Sequence, residues 1–250
     1  MPESQSHMQQ FSNQRPLFFY TSAATPCPYL PDRLERKIMT ELNGMSAEAL
    51  HDALSKCGFR RSHSLIYTPA CEGCSQCKAV RVIANDFQFN KSFRRIMKKN
   101  KSLKMFEAPA HATAEQFALF SRYQAARHTH SEMALMGFYE YRYMVEDSPI
   151  NTFIIEFRND DNILKGACLV DLMDDGISAV YSFYDPDSAK DGLGNYIILS
   201  LIELTKHMEL PYLYLGYWVK DSPKMQYKSR FKPFEVYEDP AWIRYVADGH

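Results

Sequence analysis

From Ile150 onward the apolar positions change period twice. Ile150 to Arg158, Leu164 to Met173 and Ile177 to Tyr184 are short runs rich in β-branched and aromatic residues. Asp175-Gly176 between the last two is a hairpin signal, so the three runs predict antiparallel strands. Asp185-Pro186 stops the third. Gly192-Leu193-Gly194 then opens a stretch where Ile197, Ile198, Leu201, Ile202 and Leu204 recur at helical spacing. Pro211 leads into a further strand, Tyr212 to Gly216, and a basic-aromatic tail runs on to Phe234.

Upstream the pattern is less regular. Leu17 to Tyr20 is a short apolar strand candidate, and the proline-rich segment 25–31 excludes a helix. Asp32 is placed to cap a helix to about Asn43 with Gly44 as its stop, and Ser46 to cap a second helix, Ala47 to Cys57, ended by Gly58. Arg60 to Thr68 and Ala79 to Ala84 read as strands. Ser92 is a plausible N-cap for a basic helix. Thr113 with Gln116 forms a capping-box pattern opening a helix to about Arg127, with Phe117, Phe120 and Tyr123 on one face, and Gly137 to Asp147 is a shorter aromatic helix.

Strand, glycine turn, helix, strand is the layout of an acyl-transfer site in GNAT proteins, where helix N-terminal N–H groups face an anion. The expected fold is therefore α+β, a GNAT-like mixed sheet with flanking helices, preceded by a smaller cysteine-containing domain. The expected divisions are a disordered 1–16, an N-terminal domain 17–108 and a transfer domain 109–250. The usual coenzyme A loop carries Arg or Gln where this chain has Ala189, which argues against acetyl-CoA.

A hydrophobic fraction of 46% over 250 residues supports a sizeable core. The net charge of −1 excludes a global basic field, so any nucleic-acid surface must be local. One candidate is Lys91 to Lys104, with seven basic residues, Arg94 and Arg95 among them, and no acid. The first fifteen residues are polar, and no apolar run approaches a membrane span, which makes a cytoplasmic protein the expectation.

Six cysteines in such a chain point to thiols or a metal and not to a disulfide framework. Cys71, Cys74 and Cys77 have C-x2-C-x2-C spacing, with Gly73 permitting a tight bend; Cys27, between two prolines, is the candidate fourth ligand. Such a set suits zinc or an iron–sulfur cluster, or is four reduced thiols packed together. Cys57 and Cys168 read as small core residues.

Several blocks now line up. Thr25 to Pro31 with Arg33, Glu35 and Arg36, Gly58 to Ser62, Tyr67 to Cys71, Val80 to Val82, Arg127-His128, Tyr181 to Pro186, Leu193-Gly194, Tyr212 to Trp218, Ser222 to Lys228 and Phe231 to Pro233 resemble, in order, the arginyl-tRNA–protein transferase family. The bacterial aspartate/glutamate leucyltransferase branch resembles it most. The match spans about residue 17 to 237. It departs at Gly192, where the family favours serine, which argues against a serine nucleophile there, and again after His128.

The resemblance implies a transfer domain of GNAT type. It implies that an aminoacyl-tRNA gives its amino acid to the free α-amine of a protein beginning with Asp or Glu, marking that protein for degradation. No cofactor is required for transfer, and because the donor ester is already activated no covalent enzyme intermediate is needed. Leucyl-tRNA is the expected donor and arginyl-tRNA the alternative; an arginine pocket would need a buried carboxylate such as Glu156 or Asp171. A non-catalytic, metal-stabilised RNA-binding module would also use the cysteines and the basic run.

For catalysis the candidates are Asp171 and Asp185, to orient the α-ammonium, and Tyr181, Tyr184, Tyr214 and Tyr217, for proton relay to the departing ribose hydroxyl. Each of these also reads as framework or core. The acidic acceptor needs a cation, for which Arg60, Arg61 and Arg81 are the candidates. Lys220, Lys224, Lys228, Arg230 and Lys232 are assigned to the tRNA, with Tyr227 to stack on a terminal base, while Gly192, Leu193 and Gly194 line the turn.

Overall fold

The computed structural model describes residues 16–129 and 131–246; the disorder expected for 1–16 falls almost wholly outside them. The first elements are β1 (Tyr20–Thr21), β2 (Thr25–Pro26), β3 (Leu34–Glu35), β4 (Lys37–Glu41), α1 (Ala47–Lys56), β5 (Arg60–Ser62), β6 (Leu65–Pro69) and β7 (Lys78–Ile83). Next come α2 (Lys91–Lys99), β8 (Lys104–Pro109), α3 (Ala114–Arg127) and α4 (Phe138–Glu146). The last are β9 (Thr152–Arg158), β10 (Leu164–Met173), β11 (Gly176–Tyr184), α5 (Leu193–His207), β12 (Tyr212–Trp218), β13 (Phe234–Glu238) and β14 (Ala241–Arg244).

An eight-stranded sheet in the order β14-β13-β7-β12-β11-β10-β9-β8 organises the molecule. Every neighbouring pair in it is antiparallel except β11 with β12. That parallel pair is joined through α5, which gives the GNAT-like order read from the chain. Alternation sorts the strand residues between two cores. Phe153, Ile155, Phe157, Cys168 and Val170 pack with α2 and α5, whereas Ile154, Ala167, Leu169 and Phe183 pack with α3 and α4. A four-stranded sheet, β1-β4-β6-β5, packs with α1 around Leu42, Ala47 and Ile66.

Several expectations change. Residues 32–43 form β3 and β4, not a helix: Asp32 has φ +57°, which is not an N-cap conformation, and Thr40 and Leu42 are buried at alternating positions. Pairing with β1 and β6 satisfies that backbone. Arg60 to Thr68 is a hairpin, with β5 and β6 antiparallel and His63 in its turn at φ +56°. Helix α2 is capped by Asn90, whose Oδ1 accepts from the Phe93 N–H at 2.9 Å, and not by Ser92. Cys57 is exposed beyond the end of α1, whereas Cys168 is fully buried. The division expected between 108 and 109 falls inside β8, and both β7 and β8 belong to the large sheet. Sequence distance concealed this, because strand pairing is non-local. The capping box of α3 forms as read, Thr113 Oγ1 accepting from the Gln116 N–H at 3.2 Å and Gln116 Oε1 from the Thr113 N–H at 3.1 Å.

Candidate active site

The parallel pairing of β11 with β12 covers only Gly176 with Tyr212, Ile177 with Leu213 and Ser178 with Tyr214. Beyond it the strands part. A register shift between Tyr214 and Gly216, opposite β7, accompanies the parting. Arg60 enters from β5: its Nη2 donates to the Ala179 and Val180 carbonyls at 3.2 and 3.0 Å. Its guanidinium lies so close to Gly216 (φ +73°) that a Cβ there would sit 1.0 Å from Nη1. The glycine is thus required twice, by its backbone conformation and by the side chain laid against it.

Lys228 closes the other edge by donating from Nζ to the Tyr217 carbonyl. Burial, and next the charge of Arg60, push its ammonium down to about 7, with Cys77 opposing. The Tyr217 hydroxyl donates toward the Gly58 and Tyr67 carbonyls, at 3.1 and 3.0 Å, tying β12 to the small sheet. Tyr184 ends β11 under the first turn of α5. A Cβ on Gly194 would come 2.9 Å from its ring, and its hydroxyl accepts from Arg127 Nη2 at 2.6 Å. Tyr227 is partly exposed; burial raises its hydroxyl's pKa, Arg60 lowers it, and Cys168 and Tyr184 raise it.

The other expected site residues go elsewhere. Asp171 is fully buried, accepts from Arg61 Nε and Nη2 at 2.7 Å each, and accepts from Thr152 Oγ1 at 2.7 Å. This pair joins β5 to β10 and consumes both groups. His51 adds a contact at 3.7 Å, its pKa lowered by burial despite the pull of Asp171. Arg81 pairs with Glu235 at 2.7 Å, donates to the Tyr214 hydroxyl at 3.0 Å and lies 3.5 Å from the Tyr212 ring centroid. Asp185 accepts from Arg122 at 2.8 Å and Lys165 at 2.9 Å. Burial alone would raise its pKa, but these cations and the Asp187 N–H hold it below the usual carboxylate range. Tyr181 faces α3, its hydroxyl accepting from Gln124 Nε2 at 2.6 Å.

The basic surface is gathered by packing. Phe93 of α2 stacks on Phe231 at 5.2 Å, Arg230 lies over the Phe93 ring, and Lys99 pairs with Asp191 at 2.6 Å. Gly192, at φ +71°, sits against Ile96 and is followed by the buried Leu193. Arg94, Arg95, Lys220, Lys224 and Lys232 are exposed around this region. Helix α2, the start of α5 and the tail therefore form one neighbourhood.

Cys27, Cys71, Cys74 and Cys77 line a common pocket of ≈ 70 Å³ with Tyr29, Tyr67 and Tyr217. Burial, and then the other three cysteines, push the Cys77 thiol up to about 12. Among the described residues no three His, Cys, Asp or Glu side chains are arranged to hold a metal ion.

Tyr184 and Lys228 are both named from the chain, but the Arg127–Tyr184 contact and the seat of Lys228 on the edge of β12 have no local sequence signal. Gly216 within a strand pattern is the signal that could have marked the close approach.

Family models place this architecture. Residues 25–95 match the model described as arginine-tRNA-protein transferase, N terminus, and residues 115–238 match its C terminus. The chain belongs to the arginine-tRNA-protein transferase family. It is 56% identical over 239 residues to an aspartate/glutamate leucyltransferase of Paramagnetospirillum magneticum, covering 96% of this chain and 98% of that one. A second protein of that name, from Granulibacter bethesdensis, is 55% identical, covering 91% and 85%. Among solved structures, the L-PGS of Bacillus licheniformis superposes with a TM-score of 0.42 at 11% identity, covering 72% of this chain and 52% of that one. No helix among the described residues of this family member is long and apolar enough to cross a membrane.

Proposed function

We propose that this family member moves leucine from leucyl-tRNA to the N-terminal amine of proteins beginning with Asp or Glu. The observation that carries this is the 56% identity, over nearly the full length of both chains, to a protein named for that activity. The two acids an arginine pocket would draw on are already engaged. Glu156 accepts from Gln116 and Arg158, at 2.8 Å each, and Asp171 accepts from Arg61 and Thr152. An apolar donor side chain makes no such demand.

In the transfer the amine nitrogen bonds to the leucyl carbonyl carbon. The ester C–O bond breaks, and the ribose oxygen leaves with a proton that the amine gives up. The enzyme's task is to place the two reactants and bear the charge on the carbonyl oxygen. The parted strands β11 and β12 offer the place, with Tyr184 and Tyr227 beside it as hydroxyls for the proton. The basic neighbourhood of α2 and the tail supports the acceptor stem and the terminal phosphates. The cytoplasm, where aminoacyl-tRNA is made, is the compartment this reading requires.

The test is a transfer assay with leucyl-tRNA or arginyl-tRNA and peptides beginning Asp, Glu, Lys or Ala, read by mass. Leucine on the Asp and Glu peptides alone supports the proposal. Arginine addition reassigns the donor. No product with either donor overturns the enzyme reading and favours an RNA-binding module, which would retain tRNA without consuming its ester.

A further inference from the structure

We propose that Arg60 and Lys228 together form the pocket for the side-chain carboxylate of the acceptor's first residue, an inference that rests on the acidic-acceptor reading above. Three arginines of the small sheet and β7 were candidates for that task, and two are already paired. Arg61 is bound by Asp171, and Arg81 by Glu235. Arg60 meets no acid among the described residues. Its Nη2 reaches two carbonyls, while its Nε–H and Nη1 hydrogens find no acceptor there.

Lys228 is in the same position, with one carbonyl and no carboxylate within ion-pair distance among the described residues. The two cations are neighbours. The Arg60 guanidinium lies against Gly216, and Lys228 holds the carbonyl of Tyr217, the next residue. Burial and the neighbouring Arg60 charge both disfavour the Lys228 ammonium, and an anion set between the two groups offsets that cost. Elsewhere in this molecule buried charge is matched, as at Arg61 with Asp171 and at Asp185 with Lys165 and Arg122.

The setting favours a carboxylate on a short side chain over a nucleic-acid phosphate. The pair stands where β11 and β12 part, with the rings of Tyr217 and Tyr227 close by. The cations suited to a phosphodiester backbone lie outside on α2 and the tail, where Arg94, Arg95, Lys224 and Lys232 are exposed. Lys228 thereby passes from the tRNA-binding set to the recognition of the acceptor.

Two measurements test this on the full-length protein. The first is fluorescence anisotropy without tRNA, using two labelled peptides identical except for an initial Asp or Asn. Wild type should favour Asp by at least about tenfold, each bidentate or charge-assisted contact being of that order. Lys228→Met and Arg60→Gln should bring the ratio near one, Lys228→Arg should restore part of it, and the KM for leucyl-tRNA should stay within about twofold. Retained Asp preference in both neutral variants, or an equal loss for both peptides with a raised KM for leucyl-tRNA, overturns the proposal.

The second measurement needs no variant. Acetic anhydride labels wild type with or without each peptide, and acetylation of Lys228 is read by mass. Protection by the Asp peptide and not by the Asn peptide supports the pocket; equal labelling in both overturns it. The two readings fail separately. Selective Asp binding by a protein that transfers no leucine keeps the pocket and removes the donor reading. Leucine transfer without Lys228 protection does the reverse.

Discussion

Asp171→Asn separates a structural role from a catalytic one. The carboxylate is fully buried and takes three hydrogen bonds of 2.7 Å, two from Arg61 and one from Thr152. The amide can accept at one position only, so Arg61 is left charged, buried and half-satisfied. Breaking a buried pair in this way costs about 3–5 kcal/mol. For a domain of this size each kcal/mol lowers Tm by about 2–4 °C, so a drop of roughly 6–20 °C is expected. Removing both charges, with Arg61→Met and Asp171→Leu together, should cost much less than the two single changes added, because no orphan charge remains. Thermal unfolding followed by circular dichroism reads this directly, and leucyl transfer is measured at a temperature where every variant is folded. A Tm within about 2 °C of wild type combined with a hundredfold loss of kcat would refute the reasoning and return Asp171 to the chemistry.

Gly216→Ala drives a methyl group into the Arg60 guanidinium, 1.0 Å from Nη1, at a backbone φ of +73°. Left-handed backbone alone costs an L-residue about 1–2 kcal/mol. We expect loss of Asp-peptide binding in wild type, and little further loss when the change is added to Arg60→Gln; full additivity in that cycle would disprove the contact. Stability should fall on acidification. Burial lowers the pKa of His51, His63 and His128, so the unfolded chain takes up protons first as pH drops. Their contribution is complete above about 6.5, the unfolded value, and is lost as pH falls toward the folded values. Melting at pH 7.5 and 5.5 should show the drop, and His51→Gln should reduce it; an unchanged drop would clear His51 of the effect.

How much could be read from the chain divides by range. Strands β9, β10 and β11, helix α5 with its glycine turn, and the capping box of α3 all follow from local rules. Periods of two and 3.6, turn residues, and a Thr three places before a Gln carry their instructions within a few residues. The four cysteines were legible as a cluster, and they share a pocket.

Parity along a strand says that neighbouring side chains diverge, and it says nothing of what each will meet. Arg60 and Arg61 are adjacent and chemically identical, yet one ends on the backbone of β11 and the other on a buried carboxylate in β10. The helix expected at 32–43 lost to strand pairing with β1 and β6, partners that local propensity cannot see. Lys228 looked like one more base in a basic tail until the tail folded against the edge of β12. Local pattern and ordered motifs were enough for the elements from Ile150 to Gly216 and for the kind of transfer the chain is built for, because both are written within short stretches of chain. Which cations find a carboxylate, as Arg61 and Arg81 do, is set by the folded chain, because charge pairing depends on distances between segments far apart in sequence.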